Sequence, residues 1–392
     1  MKFYIHTLGC RVNQAESDAI ASQLIARGNI LTSAQEADLV IVNSCTVTGE
    51  AEHKNRKTVR SLLKKFDGPL ILTGCAVNIA KDKYLEIDNR IICEEDKTKV
   101  AKLAATLAKD ANKQNLQPEK RARRNLKIQD GCDNACTFCI VHVARGKAQS
   151  VPSEEVIAQA KQFINEGAKE IILTGIDLGA YNKPSLSALI QQLLENTEIE
   201  RIRLSSIEPQ SINDELIDLL ANSDGRLCRY LHIPLQSGSD KVLKEMARKY
   251  NSEQYLELIN KLKKACPEIA ISTDVIVGFP GESDEDFKQT CSLVQKAQFM
   301  KLHIFRYSKR ENTPAAARTD QIEPTIKAAR AKELASIGDK LASEDLLLRK
   351  GKKELMVVEQ KRGKLCIGTT ESFHSIEVEN NAKVGDLIEI TL

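Results

Sequence analysis

Three cysteines crowd into the segment GCDNACTFCIVHVARG at residues 131–146: Cys132, Cys136 and Cys139, spaced C-x3-C-x2-C. Thiolates this close on one loop can hold irons of a cubane iron–sulfur cluster, and a fourth cysteine would be needed to close it. Three leave one iron open. An open iron on a reducible cluster can bind a small chelating ligand and pass one electron into it. A structural zinc site is the plain alternative, but zinc usually takes two short cysteine or histidine knuckles, and no second knuckle follows here. Cys10, Cys45 and Cys75 are a second candidate group, spread widely along the chain. Cys93, Cys228, Cys266, Cys291 and Cys366 lack partner spacing and read as structural residues.

The elements that must position these sulfurs are legible as apolar periodicity. In the first part of the chain FYIHTL, LVIVNS and PLILTG are short apolar runs with helical stretches between them. Val59, Leu62, Leu63 and Phe66 fall on one helical face. This pattern predicts an open α/β domain with a mostly parallel sheet over residues 1–111. Cys10, Cys45 and Cys75 each follow one of its strands. Ligands in such sheets bind beyond the carboxyl ends of the strands, so the three can converge. Residues 112–125 are polar, basic and aperiodic, and read as a linker.

From 126 to 350 strand and helix alternate again. The candidate strands are LKIQD, EIILTG, RIRLSS, RYLHIP, AISTDVIVG and KLHIFRYS. About six β–α units predict a partial parallel barrel, since a full one takes eight. The three-cysteine loop follows the first strand, at the end where barrels place their chemistry. A long charged helix is expected from Pro324 to about Arg349. Residues 351–392 alternate as ELMVVEQ, KLCIGTT, HSIEVE and LIEITL, a small all-β unit of barrel type.

Composition bounds the setting. A chain of 392 residues accommodates two or three domains of ~100–200 residues. It carries 11 cysteines and a net charge of +3. No apolar run approaches the ~20 residues of a membrane span, and MKFYIHTLGC lacks a signal peptide's apolar stretch. A cytoplasmic protein without membrane attachment is expected, where clustered cysteines favour metal over disulfides. Basic residues gather at His53–Arg60 and Lys120–Arg124, either as solvated faces or as phosphate contacts.

The three-cysteine loop resembles the signature of the radical S-adenosylmethionine (SAM) superfamily. The resemblance implies that SAM chelates the open iron and is cleaved to a 5′-deoxyadenosyl radical. It also implies a cofactor cradle. Phe138 would pack against adenine, and Thr174 and Gly175 would meet the amino group. Ser205, Ser206 and Glu208 would bond the ribose or carboxylate, and Gly278, Phe279, Pro280 and Gly281 would approach adenine. Nearly the whole chain is similar to one family within it, the methylthiotransferases. The motifs carrying this are TLGCRVNQAESD, VNSCTVTGEAEHKNRK, LTGCAV, LTGIDLGAY, RLSSIEP, LHIPLQSGSDKVLKEMARKY and STDVIVGFPGESDEDF. The family assigns Cys10, Cys45 and Cys75 to a second [4Fe-4S] cluster, which carries the transferred sulfur. The linker would then fold the first domain over the open end of the barrel.

TLGCRVNQ, RLSSIEP and LTGIDLGAY look most like the subgroup acting on N6-threonylcarbamoyladenosine in tRNA, beside the anticodon in the anticodon stem-loop. The terminal unit resembles the family's RNA-binding TRAM domain, although residues 350–392 hold seven basic and seven acidic side chains and one phenylalanine, Phe373. Arg201, Arg203 or Arg306 could bind the threonyl carboxylate, or pair internally with nearby carboxylates. A sulfide donor and a flavodoxin or ferredoxin as electron donor are implied partners. Isopentenyl-adenosine in tRNA and a ribosomal-protein aspartate are the alternative substrates in the family. A non-catalytic RNA-binding or zinc protein is the alternative outside it.

Overall fold

The computed structural model describes residues 1–46, 49–107 and 121–392. Most of the expected linker, residues 112–120, therefore lies outside the described residues, as does Lys120 of the second basic run. The chain forms two compact units. The first holds the described residues up to 107 together with Asp130–Asp133 and Cys139–Lys147. The second holds residues 121–129, Asn134–Phe138 and Ala148–Leu392. Among the described residues no helix is long and apolar enough to cross a membrane.

In the first unit, β1 (Lys2–Thr7), β2 (Ile30–Leu31), β3 (Leu39–Ser44), β4 (Leu70–Gly74) and β5 (Ile91–Cys93) make a parallel sheet. Its order is β2-β1-β3-β4-β5. β3 and β4 are buried along their whole length, which is why they read as unbroken apolar runs. Alternation sends Val40, Val42, Leu70 and Leu72 to one face, where they meet Val59, Leu63, Phe66, Val77 and Tyr84. Leu39, Ile41 and Ile71 go to the other, against Ile20, Leu24, Val100 and Ala104. So α2 (Gly49–Leu63) and α3 (Cys75–Leu85) cover one face, and α1 (Arg11–Ala26) and α4 (Val100–Leu107) the other. The edge strands β2 and β5, two and three residues long, are too short to show a period of their own. α5 (Val141–Arg145) also belongs to this unit.

The second unit opens with β6 (Arg123–Lys127), which starts inside the stretch read as linker. Its Arg-Arg-Asn start hid it, because alternate residues face a polar barrel interior while Leu126 and Ile128 enter the apolar core. After the two-residue strands β7 (Gln129–Asp130) and β8 (Gln149–Ser150) come β9 (Glu170–Thr174), β10 (Arg201–Leu204), β11 (Tyr230–His232), β12 (Ala270–Val277) and β13 (Lys301–Arg306). β6, β9 and β10 pair in parallel, as do β11, β12 and β13. Parallel bridges Ile202↔Leu227 and Ser206↔His232 join the two sets into one arc. This is the expected six-stranded partial barrel. Helices α6 (Ser153–Asn165), α7 (Leu186–Asn196), α8 (Asp214–Asn222), α9 (Asp240–Glu245), α10 (Ser252–Ala265), α11 (Asp284–Ala297), α12 (Pro314–Ala317) and α13 (Pro324–Leu348) complete it.

The last residues form an antiparallel sheet of β14 (Lys353–Arg362), β15 (Leu365–Thr370), β16 (Ser375–Glu379) and β17 (Leu387–Thr391), in the order β16-β15-β14-β17. It groups with the barrel rather than standing apart. It is fastened to the barrel strands β6 and β10 through Arg123, Arg201 and Arg203.

Candidate functional site

Cys10, Cys45 and Cys75 emerge from three adjacent strands, β1, β3 and β4, at the same end of the sheet. The register pairs Thr7 with Asn43, Asn43 with Thr73 and Ser44 with Gly74. Close approach is built into the backbone. A Cβ on Gly9 (φ +105°) would lie 2.5 Å from Cys45 Cβ and 2.8 Å from its sulfur. A Cβ on Gly74 (φ +97°) would lie 2.4 Å from the Ser44 carbonyl oxygen. Only glycine fits these positions. Cys10 caps α1 and Cys75 begins α3, so the positive ends of two helix dipoles lie beside sulfurs that would carry an anionic cluster. Cys45 is held through its backbone, since Asn55 donates to the Cys45 carbonyl and accepts from its N–H. Asn55 lies in the basic run at 53–60 but is wholly buried.

Asn13, also wholly buried, donates to the carbonyls of Leu8 (2.9 Å) and Ser44 (2.8 Å). Its own oxygen accepts from Arg145 Nη2 at 2.6 Å, and Arg145 Nε points at Cys75 Sγ at 3.2 Å. Glu16 and Asp130 accept from Arg145 Nη1, both at 2.9 Å. These carboxylates and the Cys75 sulfur hold the guanidinium charged against the cost of burial. Asn13 and Arg145 have no signature of spacing in the sequence, because their contacts join segments far apart along the chain; Asn55 reaches back only ten residues, but across a stretch that no periodicity marks.

The three-cysteine loop is pinned on both flanks. Within the first unit, the Cys132 N–H donates to the Gly146 carbonyl (3.1 Å) and the Val141 N–H points at Cys139 Sγ (3.4 Å). Gly131 (φ +71°) has no room for a Cβ, which would lie 2.0 Å from the Lys147 carbonyl oxygen. Cys136 belongs to the barrel unit and is buried. There Thr137 donates to the carbonyls of Glu245 (2.8 Å, side chain) and Met246 (3.2 Å, backbone). Arg248 Nη1 donates to Cys136 Sγ at 3.2 Å. Its Nη2 donates to Glu208, and its Nε donates to the Tyr250 hydroxyl at 3.0 Å. Burial raises the Glu208 carboxyl above its ordinary range, and Arg248 opposes this. Among the described residues no three His, Cys, Asp or Glu side chains gather closely enough to hold a single metal ion.

The cradle residues lie where the strands end. Thr174 is buried and donates to the Leu126 carbonyl. Gly175 faces Gln129, 2.9 Å from where its Cβ would lie. The Ser205 hydroxyl is buried without a hydrogen-bond partner, an acceptor and donor open to a ligand beyond β10. Ser206 bridges to His232. Phe138 is part-buried in a cluster with Val242, Met246, Phe279 and Tyr307. The Phe279 ring is wholly buried in that cluster. The Gly278 N–H donates to Glu282 (2.7 Å), and the space for its Cβ is filled by Lys327. Gly281 (φ +76°) likewise faces Arg318 and Asp320, and its carbonyl accepts from Lys241. Within the barrel unit, the unpartnered buried Ser205 hydroxyl suits the polar part of a cofactor, and three thiols on one loop are the donor set of an iron–sulfur cluster.

Of the two readings of the barrel arginines, internal pairing holds for Arg201 and Arg203. Both are wholly buried on β10. Both pair with Glu170 and donate to carbonyls of the terminal sheet: Leu355 and Thr369 from Arg201, Glu371 and Thr370 from Arg203. Wholly buried and paired in this way, they are out of reach of a substrate carboxylate. Arg306, exposed at the end of β13, is the one of the three at the mouth. Of the second basic run, Arg123 pairs with Glu170 and Glu359, and Arg124 pairs with Glu166 and stacks over Phe163. These two serve the fold, not phosphates.

Comparison with known proteins agrees with this geometry. The Radical SAM superfamily matches residues 126–294, and the family described as Uncharacterized protein family UPF0004 matches residues 2–93. The chain is 38% identical over 369 residues to the threonylcarbamoyladenosine tRNA methylthiotransferase MtaB of Bacillus subtilis, covering 86% of this chain and 80% of that protein. It is 33% identical to the MtaB of Chlamydia pneumoniae over 100% of this chain and 95% of that one. It is 34% identical to the ribosomal protein uS12 methylthiotransferase RimO of Lachnoclostridium phytofermentans, over 100% and 97%. In fold it is similar to the radical SAM methyltransferase TsrM of Kitasatospora setae, with a TM-score of 0.59 at 12% identity over 80% of this chain and 77% of that one. Full-length similarity at this level, on a partial barrel with a cysteine loop at its first strand, makes the chain a radical SAM enzyme of the methylthiotransferase family.

Proposed function

We propose that the protein converts N6-threonylcarbamoyladenosine beside the tRNA anticodon to its 2-methylthio derivative in the cytoplasm, using SAM and two [4Fe-4S] clusters. The observation that carries the two-cluster reading is the shared sheet end of Cys10, Cys45 and Cys75, in a chain that also carries the Cys132–Cys136–Cys139 loop. A cluster on that loop would supply one-electron cleavage of SAM, and one on the strand-end cysteines would supply the sulfur. The chain's own residues bind and orient. Cys132, Cys136 and Cys139 would hold the barrel cluster, with Arg248 donating to the Cys136 sulfur. Ser205 and Glu208 would bond the polar parts of SAM, and Phe138 would offer it an apolar wall. Asn55, Asn13 and the two close-packed glycines hold the second cysteine set in place. A sulfide source and a flavodoxin or ferredoxin complete the scheme.

The choice of substrate rests on relatives named as threonylcarbamoyladenosine enzymes in three different bacteria, at 33–38% identity. The RimO relative and a tRNA-2-methylthio-N(6)-dimethylallyladenosine synthase of Methylacidiphilum infernorum, 32% identical, mark a ribosomal-protein aspartate and isopentenyl-adenosine as the competing targets. Mass spectrometry of tRNA nucleosides from a deletion strain tests the choice. The 2-methylthio-threonylcarbamoyladenosine peak is expected to vanish and its unthiolated precursor to accumulate. An unchanged peak would remove this substrate. Anaerobically reconstituted protein is expected to be brown with about eight irons per chain, two cubanes' worth. A colourless protein with one zinc would favour a non-catalytic role.

A further inference from the structure

At the sheet end carrying Cys10, Cys45 and Cys75, the charged side chain of Arg145 is aimed at a sulfur. Arg145 comes from α5, just beyond the three-cysteine loop, and its side chain bonds Cys75, Glu16, Asp130 and Asn13, all within the first unit. Nε–H points at Cys75 Sγ (3.2 Å), Nη1 donates to Glu16 and Asp130 (both 2.9 Å), and Nη2 donates to Asn13 Oδ1 (2.6 Å). The side chain is only 2% exposed. Asn13 is the other half of the device. Its Nδ2 donates to the carbonyls of Leu8 and Ser44, the residues two before Cys10 and one before Cys45. Its oxygen also lies 3.5 Å from Cys10 Sγ. One arginine–asparagine pair therefore touches all three strand ends that carry the cysteines.

The charges explain why this is more than an ion pair. Glu16 and Asp130 already balance Arg145, with Lys97 adding a second cation on Glu16 at 2.7 Å. The sulfur adds to the attraction of these carboxylates, and its contact with Arg145 is a directed one. The guanidinium's third N–H is directed to Cys75 by the planar fork that the two carboxylates and Asn13 hold in place. A lysine would keep the charge and lose this direction.

We propose that Arg145 and Asn13 are positioning residues for the cluster on Cys10, Cys45 and Cys75. Asn13 fixes the backbone ahead of two ligands, and Arg145 orients Asn13 and donates a hydrogen bond to the sulfur of the third. This rests on the two-cluster reading above. Hydrogen bonds to cluster sulfurs set the reduction potential, and donation from a cation stabilises the more negative, reduced state.

The test uses the full chain with Cys132, Cys136 and Cys139 replaced by alanine, so that only the strand-end cysteines can carry a cluster. Iron content, midpoint potential and iron retained against a chelator are read in this background and with Arg145→Lys, Arg145→Gln or Asn13→Asp added. Both Arg145 variants are expected to shift the potential to more negative values. Asn13→Asp keeps an acceptor for Arg145 but removes the two donors, and is expected to speed iron loss several-fold. Thermal melts of the apo-proteins identify any variant that fails to fold, and the Arg145→Lys potential is decisive because it conserves charge and bulk. A wild-type potential in both Arg145 variants, with wild-type iron retention in Asn13→Asp, overturns the proposal. A parent background that takes up no iron overturns the cluster reading beneath it.

Discussion

Individual cysteines in this chain have different surroundings, and chemistry separates them. Cys136 sits beside Arg248 in the barrel unit, and Cys45 sits against Gly9 in the N-terminal unit. Replacing Cys136 with alanine should abolish cleavage of SAM to 5′-deoxyadenosine. Replacing Cys45 should leave that cleavage running and block thiolation of tRNA. Liquid chromatography of both products checks this, and thiolation surviving both changes would break the two-cluster assignment. Burial pushes the thiols of Cys93, Cys228 and Cys291 up to about 11. At pH 8 they should alkylate on the order of a hundredfold more slowly than a free cysteine. Peptide mass mapping after a short iodoacetamide pulse reads this directly.

Among the elements, β9 carries the most consequential single side chain outside the site. Glu170 is wholly buried and accepts from Arg123, Arg201 and Arg203 on the neighbouring strands β6 and β10. Burial alone would raise its carboxyl, but Arg203, Arg201 and Arg123 outweigh this and hold it far below the ordinary range. Its stabilisation is therefore fully present above the unfolded glutamate value of about 4.3, and is lost as pH falls through the depressed folded value. Glu170→Gln leaves buried guanidiniums short of charge and should cost ~3–5 kcal/mol. Urea melts at pH 7 measure the loss, and acid titration of the variant should lack the drop that the parent shows below about pH 4.3.

Across the whole molecule, the terminal sheet is part of the barrel's structure. Its carbonyls at 355 and 369–371 satisfy Arg201 and Arg203. Phe373 stacks on Tyr230 with ring centroids 4.6 Å apart. A chain ending at Arg349 would strand those donors at ~1–3 kcal/mol each. It should melt well below the full-length protein in calorimetry, whereas an unchanged melting temperature would mean that the sheet is an independent module.

Most of the architecture could be read from the residues alone. Spacing on one loop marks Cys132, Cys136 and Cys139, because three ligands from one turn need no tertiary help to be neighbours. Apolar periodicity marks the three central strands of the first unit, the five later strands of the barrel and the four of the terminal sheet, because burial imposes that period. The first barrel strand was legible only from Leu126, as LKIQD; its start at Arg123 was hidden because Arg123, Arg124 and Asn125 are polar and mimic a linker. The roles of Arg201, Arg203 and Arg123 were likewise closed to sequence, because their partners lie up to 236 residues away. The same holds for Asn13 and Arg145. A hydrogen bond between distant segments leaves no periodicity, and only folding the chain decides which polar side chain ends beside which sulfur.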